Sequence, residues 1–423
     1  MPKKTEQWSR LDNAAKIFPP TAKGRDTKVF RFACELKEDV DGIFLQQALN
    51  KTIGQFPIYR SVLRRGLFWY YLEESGIAPQ VHVENTPVCG KIYDKNVKRL
   101  LFDVSYFRNR ISLELFHVLS DGAGAMEFLR ALLYHYLTLR HAEEFKDSLP
   151  AFDYDASDAQ KQDDSFLRYY DKTVKREKVS YRRAYRLRDR RVAEDRMNVM
   201  LGEASVKQLL AKAHEYHATL TEFLGAVLIR SIYAGMPVRA RKKPVTLTVP
   251  VNLRKIFPSV SARNFFGIIN IPYSFDTHSA ELSEIVNVVR GGFERELTEE
   301  KLAGRMNALG AVEHNPLARI APLFFKDFVL SAANKISDAE TTAALSNIGK
   351  VTMPPELAKY INKFDVLFST QKVQLCTCSF GDKMSFGFTS AFVAAEVQRE
   401  FFRTLSKMGI EITISACRSE EGQ

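Results

Sequence analysis

The stretch Arg110–Leu137, RISLELFHVLSDGAGAMEFLRALLYHYL, decides how the rest of the chain is read. Ile111, Leu113 and Leu115 alternate with Arg110, Ser112 and Glu114, the period of two that makes a half-buried strand, and by the same parity His117 ends the apolar face. Beyond it Met126, Leu129, Leu132, Leu133, Tyr136 and Leu137 recur at three and four, so a helix follows, and Asp121 is placed to cap its orphan amides. The unit is strand, short loop, helix, with His117, Asp121 and Gly122 in the loop.

An imidazole placed where a strand stops can titrate near neutrality and take a proton from a bound hydroxyl, amine or thiol. Spacing alone favours a blander arrangement, a buried histidine bonded to backbone with Asp121 as a helix cap. The rest of the chain has to decide between them.

Its 423 residues suit two ordinary domains or one large fold with two halves, and a hydrophobic content of 45% with 30 Phe and 16 Tyr supplies ample core. The longest apolar runs, such as FLGAVLI at 223–229, fall short of the roughly 18 residues a membrane span needs, so no transmembrane helix is expected. The opening MPKKTEQWSRLDNAAK lacks the apolar centre of a secretory signal, which points to the cytoplasm. Cys34, Cys89, Cys376, Cys378 and Cys417 are scattered and odd in number, a pattern of free thiols.

The formal charge is +11, and two basic clusters stand out, YRRAYRLRDRR at 181–191 and RARKK at 239–243. Such clusters can form a solvated linker, meet the phosphates of a nucleotide-bearing substrate, or face an acidic carrier protein. No nucleic-acid motif accompanies them, so nucleic acid is not an expected partner.

Taken in order, VFRFACEL at 29–36 reads as a strand and 41–54 as a helix, with further strands at 67–74 and 81–85. His82, inside such a strand, is structural. Asp153, Asp155, Asp158, Asp163 and Asp164 then give way to the arginine-rich stretch, and residues 151–196 have the texture of a crossing segment. The expected division is 1–175, a basic linker at 176–196, and 197–423. The second half opens with the strand NVMLG at 198–202, a helix over 205–217 and another over 219–234 capped by Thr221. Residues 245–275 read as strand, loop and strand, with Pro250 and Pro258 holding the loop outside the ladders. Helical patterns fill 280–335, strands follow at 344–351, 364–370, 373–381 and 384–390, and a helix covers 395–407.

The fold class is therefore α/β with mixed sheets. His214 and His217 lack a third ligand or an HExxH pattern, and Cys376 and Cys378 lack a second pair, so no metal site is expected. No Walker loop, GxGxxG, GxSxG or EF-hand loop is present, which removes the usual supports of kinase, hydrolase and dinucleotide readings.

HVLSDGAG, at 117–124, resembles the HxxxDG motif of the condensation-domain and chloramphenicol acetyltransferase-like superfamily. Within it the chain is similar to the alcohol acetyltransferase group, through WSRLDNAAKIFP at 8–19, PVNLR at 250–254, NFFG at 264–267 and SNIG at 346–349, all in the family's order. The resemblance implies two related acetyltransferase-like halves with a substrate tunnel between them. It implies acyl transfer from coenzyme A, acetyl-CoA in the simplest case, or from a carrier protein's phosphopantetheine, to an acceptor alcohol or amine. His117 would be the general base, Asp121 a structural organiser and Arg254 its partner. Gly122, Asn264 and Gly267 would be structural, and Ser346 and Asn347 candidates for the oxyanion donor. No tightly bound cofactor and a monomer are expected. Two departures matter: peptide-forming condensation domains carry two adjacent histidines, whereas Phe116 precedes His117, and NFFG lacks the acidic residue and tryptophan of the plant DFGWG stretch. A carrier-dependent enzyme and a non-catalytic binding module on the same fold remain as alternatives.

Overall fold

The computed structural model describes residues 8–152, 164–171, 173–174, 182–314 and 316–417. The acidic run at 153–163 and the start of the basic linker, 175–181, lie outside them.

Among the described residues there are fifteen strands: β1 Trp8–Arg10, β2 Val29–Leu36, β3 Ser61–Arg65, β4 Tyr70–Glu74, β5 Val81–Val83, β6 Phe102–Phe107, β7 Arg110–Phe116, β8 Asn198–Ser205, β9 Val245–Asn252, β10 Phe266–Tyr273, β11 Ala343–Lys350, β12 Ile361–Phe368, β13 Val373–Phe380, β14 Lys383–Ser390 and β15 Thr413–Cys417. They form a five-stranded sheet in the order β12-β2-β7-β6-β5, a seven-stranded sheet β10-β9-β11-β13-β14-β8-β15, and a small antiparallel sheet β1-β4-β3. Both large sheets mix parallel and antiparallel pairs, as in an α/β fold with mixed sheets.

Each large sheet has its own core. The helices Gly42–Gln55 and Gly122–Arg140 pack on each other and on the five-stranded sheet, where Phe56, Tyr59, Phe102 and Phe128 interlock as edge-to-face and stacked rings. Leu220–Ala234, Leu282–Glu296 and Glu396–Lys407 back the seven-stranded sheet, with Phe386 and Phe388 packed on Phe401 and Phe402. One strand crosses over. β12 lies beyond residue 197 in sequence but pairs antiparallel with β2, so the first half's sheet is completed by chain from the second.

The two sheets meet where β14 passes β12. A Cβ on Gly387 would run into the Val366 carbonyl oxygen and the Leu367 side chain, so only glycine lets the backbones approach that closely. Residues 182–196 run along the second half without a regular element, held by Ala184 N–H to Ala339 O (3.0 Å), Tyr185 N–H to Pro244 O (2.7 Å) and Val192 N–H to Ala391 O (3.1 Å).

Two local expectations are corrected. Thr219, not Thr221, caps the 220–234 helix: Thr219 has the extended backbone of a cap, and it forms a reciprocal capping box with Glu222. Pro250 lies inside β9 rather than outside the ladder, paired with Ile268 of β10. On its other edge β9 meets β11 at Leu247 and Thr248 alone, so the missing proline N–H costs no ladder bond. The strand expected at 67–74 starts only at Tyr70, after a turn, and β1, β3, β6 and β15 are strands that the sequence reading did not pick out. Among the described residues, no helix is long and apolar enough to cross a membrane. Cys34, Cys89, Cys376 and Cys378 are free and buried.

Gly387→Ala is expected to cost about 2 kcal/mol or more through overpacking of the β12–β14 crossing. Urea denaturation checks this, and an unchanged midpoint would contradict the crossing geometry.

Candidate active site

β7 delivers His117 to the point where the strand ends. The side chains of Leu113 and Leu115 point to the helix-covered face of the sheet, and His117 continues their parity past the last rung. Its N–H bonds Lys28 O (2.9 Å), which pins the residue beside the start of β2. The chain turns at His117 and Val118, closed by Leu119 N–H to Phe116 O (3.1 Å), and Asp121 starts the Gly122–Arg140 helix by accepting from Gly124 N–H (3.0 Å).

Asp121 does more than cap. Its other oxygen, Oδ2, accepts from Arg254 Nη1 (2.6 Å) and from Phe265 N–H (2.7 Å). The carboxylate is 4% exposed, so these donors replace water almost completely. Arg254 directs its remaining donors to Ser261 O (2.8 Å from Nη2), Arg263 O (2.5 Å) and Phe265 O (3.3 Å). Ser120 Oγ adds a bond to Ala262 O (2.5 Å). The 253–265 loop of the second half is thereby folded onto the histidine loop of the first. Gly124 sits at the closest point: a Cβ there would collide with Ala262 O and Ser120 Oγ.

The next residue of that loop fixes the imidazole. Asn264 Nδ2 donates toward His117 O (3.0 Å), Val118 O (3.4 Å) and Asp12 Oδ2 (3.2 Å). An amide oxygen there would meet three acceptors, so the orientation of the amide follows from its surroundings. Oδ1 is then the atom that lies 2.9 Å from His117 Nδ1. Nδ1 carries the proton, and the lone pair is on Nε2. Among the described residues Nε2 has no hydrogen-bond partner, and the side chain is half-buried rather than closed off.

Aromatic rings wall the imidazole. Phe18 stacks on it at 4.3 Å between centroids, Phe30 and Phe368 meet it edge-on at 5.1 and 5.6 Å, and Phe266 is tilted at 5.3 Å. Burial in this apolar setting disfavours the imidazolium and lowers its pKa from 6.5 to about 4, against the opposing pull of Asp121 and Asn264. The ring is neutral at neutral pH. Such a group can accept a proton at Nε2 from a ligand brought against it.

Asp12 supports the arrangement from behind. It is 1% exposed, accepts from Ala15 N–H (2.8 Å) as well as from Asn264, and lies 3.7 Å from Arg263 Nε. Burial pushes its pKa up to about 6, with Arg263 opposing. By holding the turn at Ala15–Ile17 it also sets the position of Phe18 against the histidine.

The remaining candidates divide. Gly122 opens the helix where a Cβ would come within 2.9 Å of Ile348 Cδ1, so β11 approaches the loop through Ile348. Gly267 pairs with Val251 at the start of β10. Asn347 bonds Thr221 Oγ1 (2.9 Å) and Gly349 N–H (2.9 Å), tying the bulge of β11 to the 220–234 helix. Ser346 pairs with Cys376 in the sheet. The sequence reading missed Asp12, Phe18, Phe30, Phe266 and Phe368. Asp12 and Phe18 lie in WSRLDNAAKIFP, whose order had been noticed without a role, and Phe266 in NFFG; the other two carried no separate signal. A cavity of about 630 Å³ between the sheets, lined by Arg31, Glu84, Arg110 and Asp365 among others, opens on the Arg31–Glu114 face, opposite to the one that His117 continues.

Compared by sequence, the chain matches no family profile and no curated protein. Its fold is that of condensation domains and related acetyltransferases. The first condensation domain of the calcium-dependent antibiotic synthetase, in complex with a substrate analogue, superposes with a TM-score of 0.63 at 14% identity, covering 95% of this chain and 97% of that one. Trichothecene 15-O-acetyltransferase from Fusarium sporotrichioides gives 0.59 at 11%, covering 95% and 94%. Polyketide synthase associated protein 5 from Mycobacterium tuberculosis gives 0.58 at 10%, covering 94% and 96%.

Asp121→Ala is expected to cost about 3 kcal/mol or more, because it leaves Arg254 and two amides without their acceptor in a buried place. Chemical denaturation measures it, and a loss below about 1 kcal/mol would show that the loop is held by something else.

Proposed function

We propose that the chain is an acyltransferase that moves an acyl group, acetyl in the simplest case, from a coenzyme A thioester to an acceptor alcohol, with His117 as general base. The observation that carries this reading is the Asn264–His117 contact, which puts the lone pair on Nε2. Solved structures of similar fold include one O-acetyltransferase and a starter condensation domain in complex with C8-CoA, the latter at 12% identity and a TM-score of 0.60.

The acceptor hydroxyl gives its proton to His117 Nε2 as its oxygen forms a bond to the thioester carbon. The tetrahedral intermediate then breaks its C–S bond, and the proton on Nε2 passes to the departing thiolate. A thioester is already activated, so no covalent nucleophile is needed, and alignment of the two substrates supplies much of the rate. Asp121 and Arg254 act on the loop rather than on substrate, and Asn264 acts through the imidazole tautomer. On this reading residues 1–175 and 197–423 are the two halves joined at 176–196, with the substrate tunnel meeting His117 between them.

A carrier-linked thioester presents the same acyl carbon, and condensation domains of synthetases share the fold. The basic stretch at 182–191 is where an acidic carrier would dock on that reading. Purified protein assayed for thiol release and product mass with acyl-CoA donors, against a loaded carrier, separates the two.

His117→Ala should lower turnover by about 10² to 10⁴-fold while leaving the denaturation midpoint in place. In the wild type, the base is lost as pH falls through the lowered pKa, so kcat/KM should stay level down the acid side and drop near pH 4. Near-normal turnover in His117→Ala, or an acid limb at the ordinary histidine value of 6.5, would overturn the assignment.

A further inference from the structure

The helix Leu323–Ala339 is amphipathic with its apolar side outward. Leu323 is buried, and Ser331 faces the protein, bonding Pro20 O (3.2 Å). At 100° per residue, Phe324, Phe328, Phe325, Ile336 and Val329 share one arc of roughly 140° opposite Leu323, with Ser331 at its edge about 20° from Phe324. All five are exposed, Phe328 by 72%. An apolar helix face is ordinarily what a fold covers, and a patch of three phenylalanines with two aliphatic neighbours is large for a free surface.

The tip of the β3–β4 hairpin extends it. Leu323 N–H bonds Leu67 O (2.9 Å), and Lys326 Nζ bonds Phe68 O (2.9 Å) while lying 3.4 Å from the centre of the Trp69 ring. Leu67 and Phe68 are exposed beside it. Of the chain's two tryptophans Trp69 is at this tip, while Trp8 stacks edge-on with Tyr71 on the opposite face of the small sheet from Tyr70 and Arg65, which meet Asp327. Lys16, Arg65, Arg319, Lys326 and Lys335 lie along this surface, with Asp327 and the exposed Asp338 as carboxylates beside them.

We propose that this surface seats the protein on an anionic lipid bilayer, with the outward face of the 323–339 helix and the hairpin tip inserted at the level of the headgroups. Three properties select lipid over a protein partner. The apolar arc is rich in phenylalanine, Trp69 flanks it where an amphipathic ring is best placed, and the rim is basic, complementary to acidic lipid. The attachment is peripheral. It also places the bilayer on the side of the molecule that carries Pro20 and the turn presenting Phe18 to His117.

The test is flotation of the full chain with phosphatidylcholine vesicles, with and without phosphatidylserine. The expected result is co-flotation that grows with phosphatidylserine and falls with salt, accompanied by a blue shift of tryptophan emission, since Trp69 lies on the inserting tip. Phe324→Ser with Phe328→Ser should reduce vesicle binding by roughly tenfold or more, with the denaturation midpoint unchanged. Absence of wild-type binding, or binding that the double variant retains, would overturn the proposal. So would sedimentation showing a wild-type dimer that this variant splits, which would assign the face to a second copy of the chain.

Discussion

One buried carboxylate holds the site together. Asp121 starts the helix that follows the histidine loop, and with its second oxygen it takes a proton donor from the arginine and the backbone of a loop some 130 residues later. Buried ion pairs add little net stability when weighed against an apolar replacement, because both charges lose water. Their value is conditional: once one partner is present and dry, the other can sit in one place only. That condition lets two separate lengths of chain meet at a fixed distance, and the loop it fixes carries Asn264 to the imidazole.

The histidine is then controlled by two influences that pull against each other. The ring of phenylalanines makes charge costly, which keeps the imidazole neutral, while Asn264 and the nearby Asp121 favour the protonated form to a lesser degree. A base with a low pKa is always available but accepts a proton with less driving force. Such a site gains most from a substrate pair already aligned and from an acceptor proton leaving as the new bond forms. The neutral side chain of Asn264 suits that balance, since it fixes the tautomer without adding a charge that would raise the pKa.

Much of the architecture could be read from the chain. VFRFACEL coincides with β2, and the 110–137 stretch resolves into strand, loop and helix because its period changes from two to three and four at one place. Strand β12 was visible as a strand, yet its partner was not, because alternation says nothing about which sheet a strand joins. Thr221 read as the cap of the 220–234 helix, whereas the extended backbone and the capping box with Glu222 belong to Thr219. At the site, His117 and Asp121 stood out through their spacing. Asp12 did not, since the partners that tie it to the site, Asn264 and Arg263, lie more than 250 residues away, and the phenylalanines around His117 look in sequence like any other core aromatics.

The central claim is a statement about one proton, and it can be observed without turnover. Long-range proton–nitrogen correlation spectra of uniformly ¹⁵N-labelled protein at neutral pH report the protonation of each imidazole nitrogen, and loss of one set of signals in His117→Ala identifies this residue among the eight histidines. The account predicts a neutral ring with the proton on Nδ1 and an unprotonated Nε2. A proton on Nε2, or an imidazolium at that pH, would contradict it.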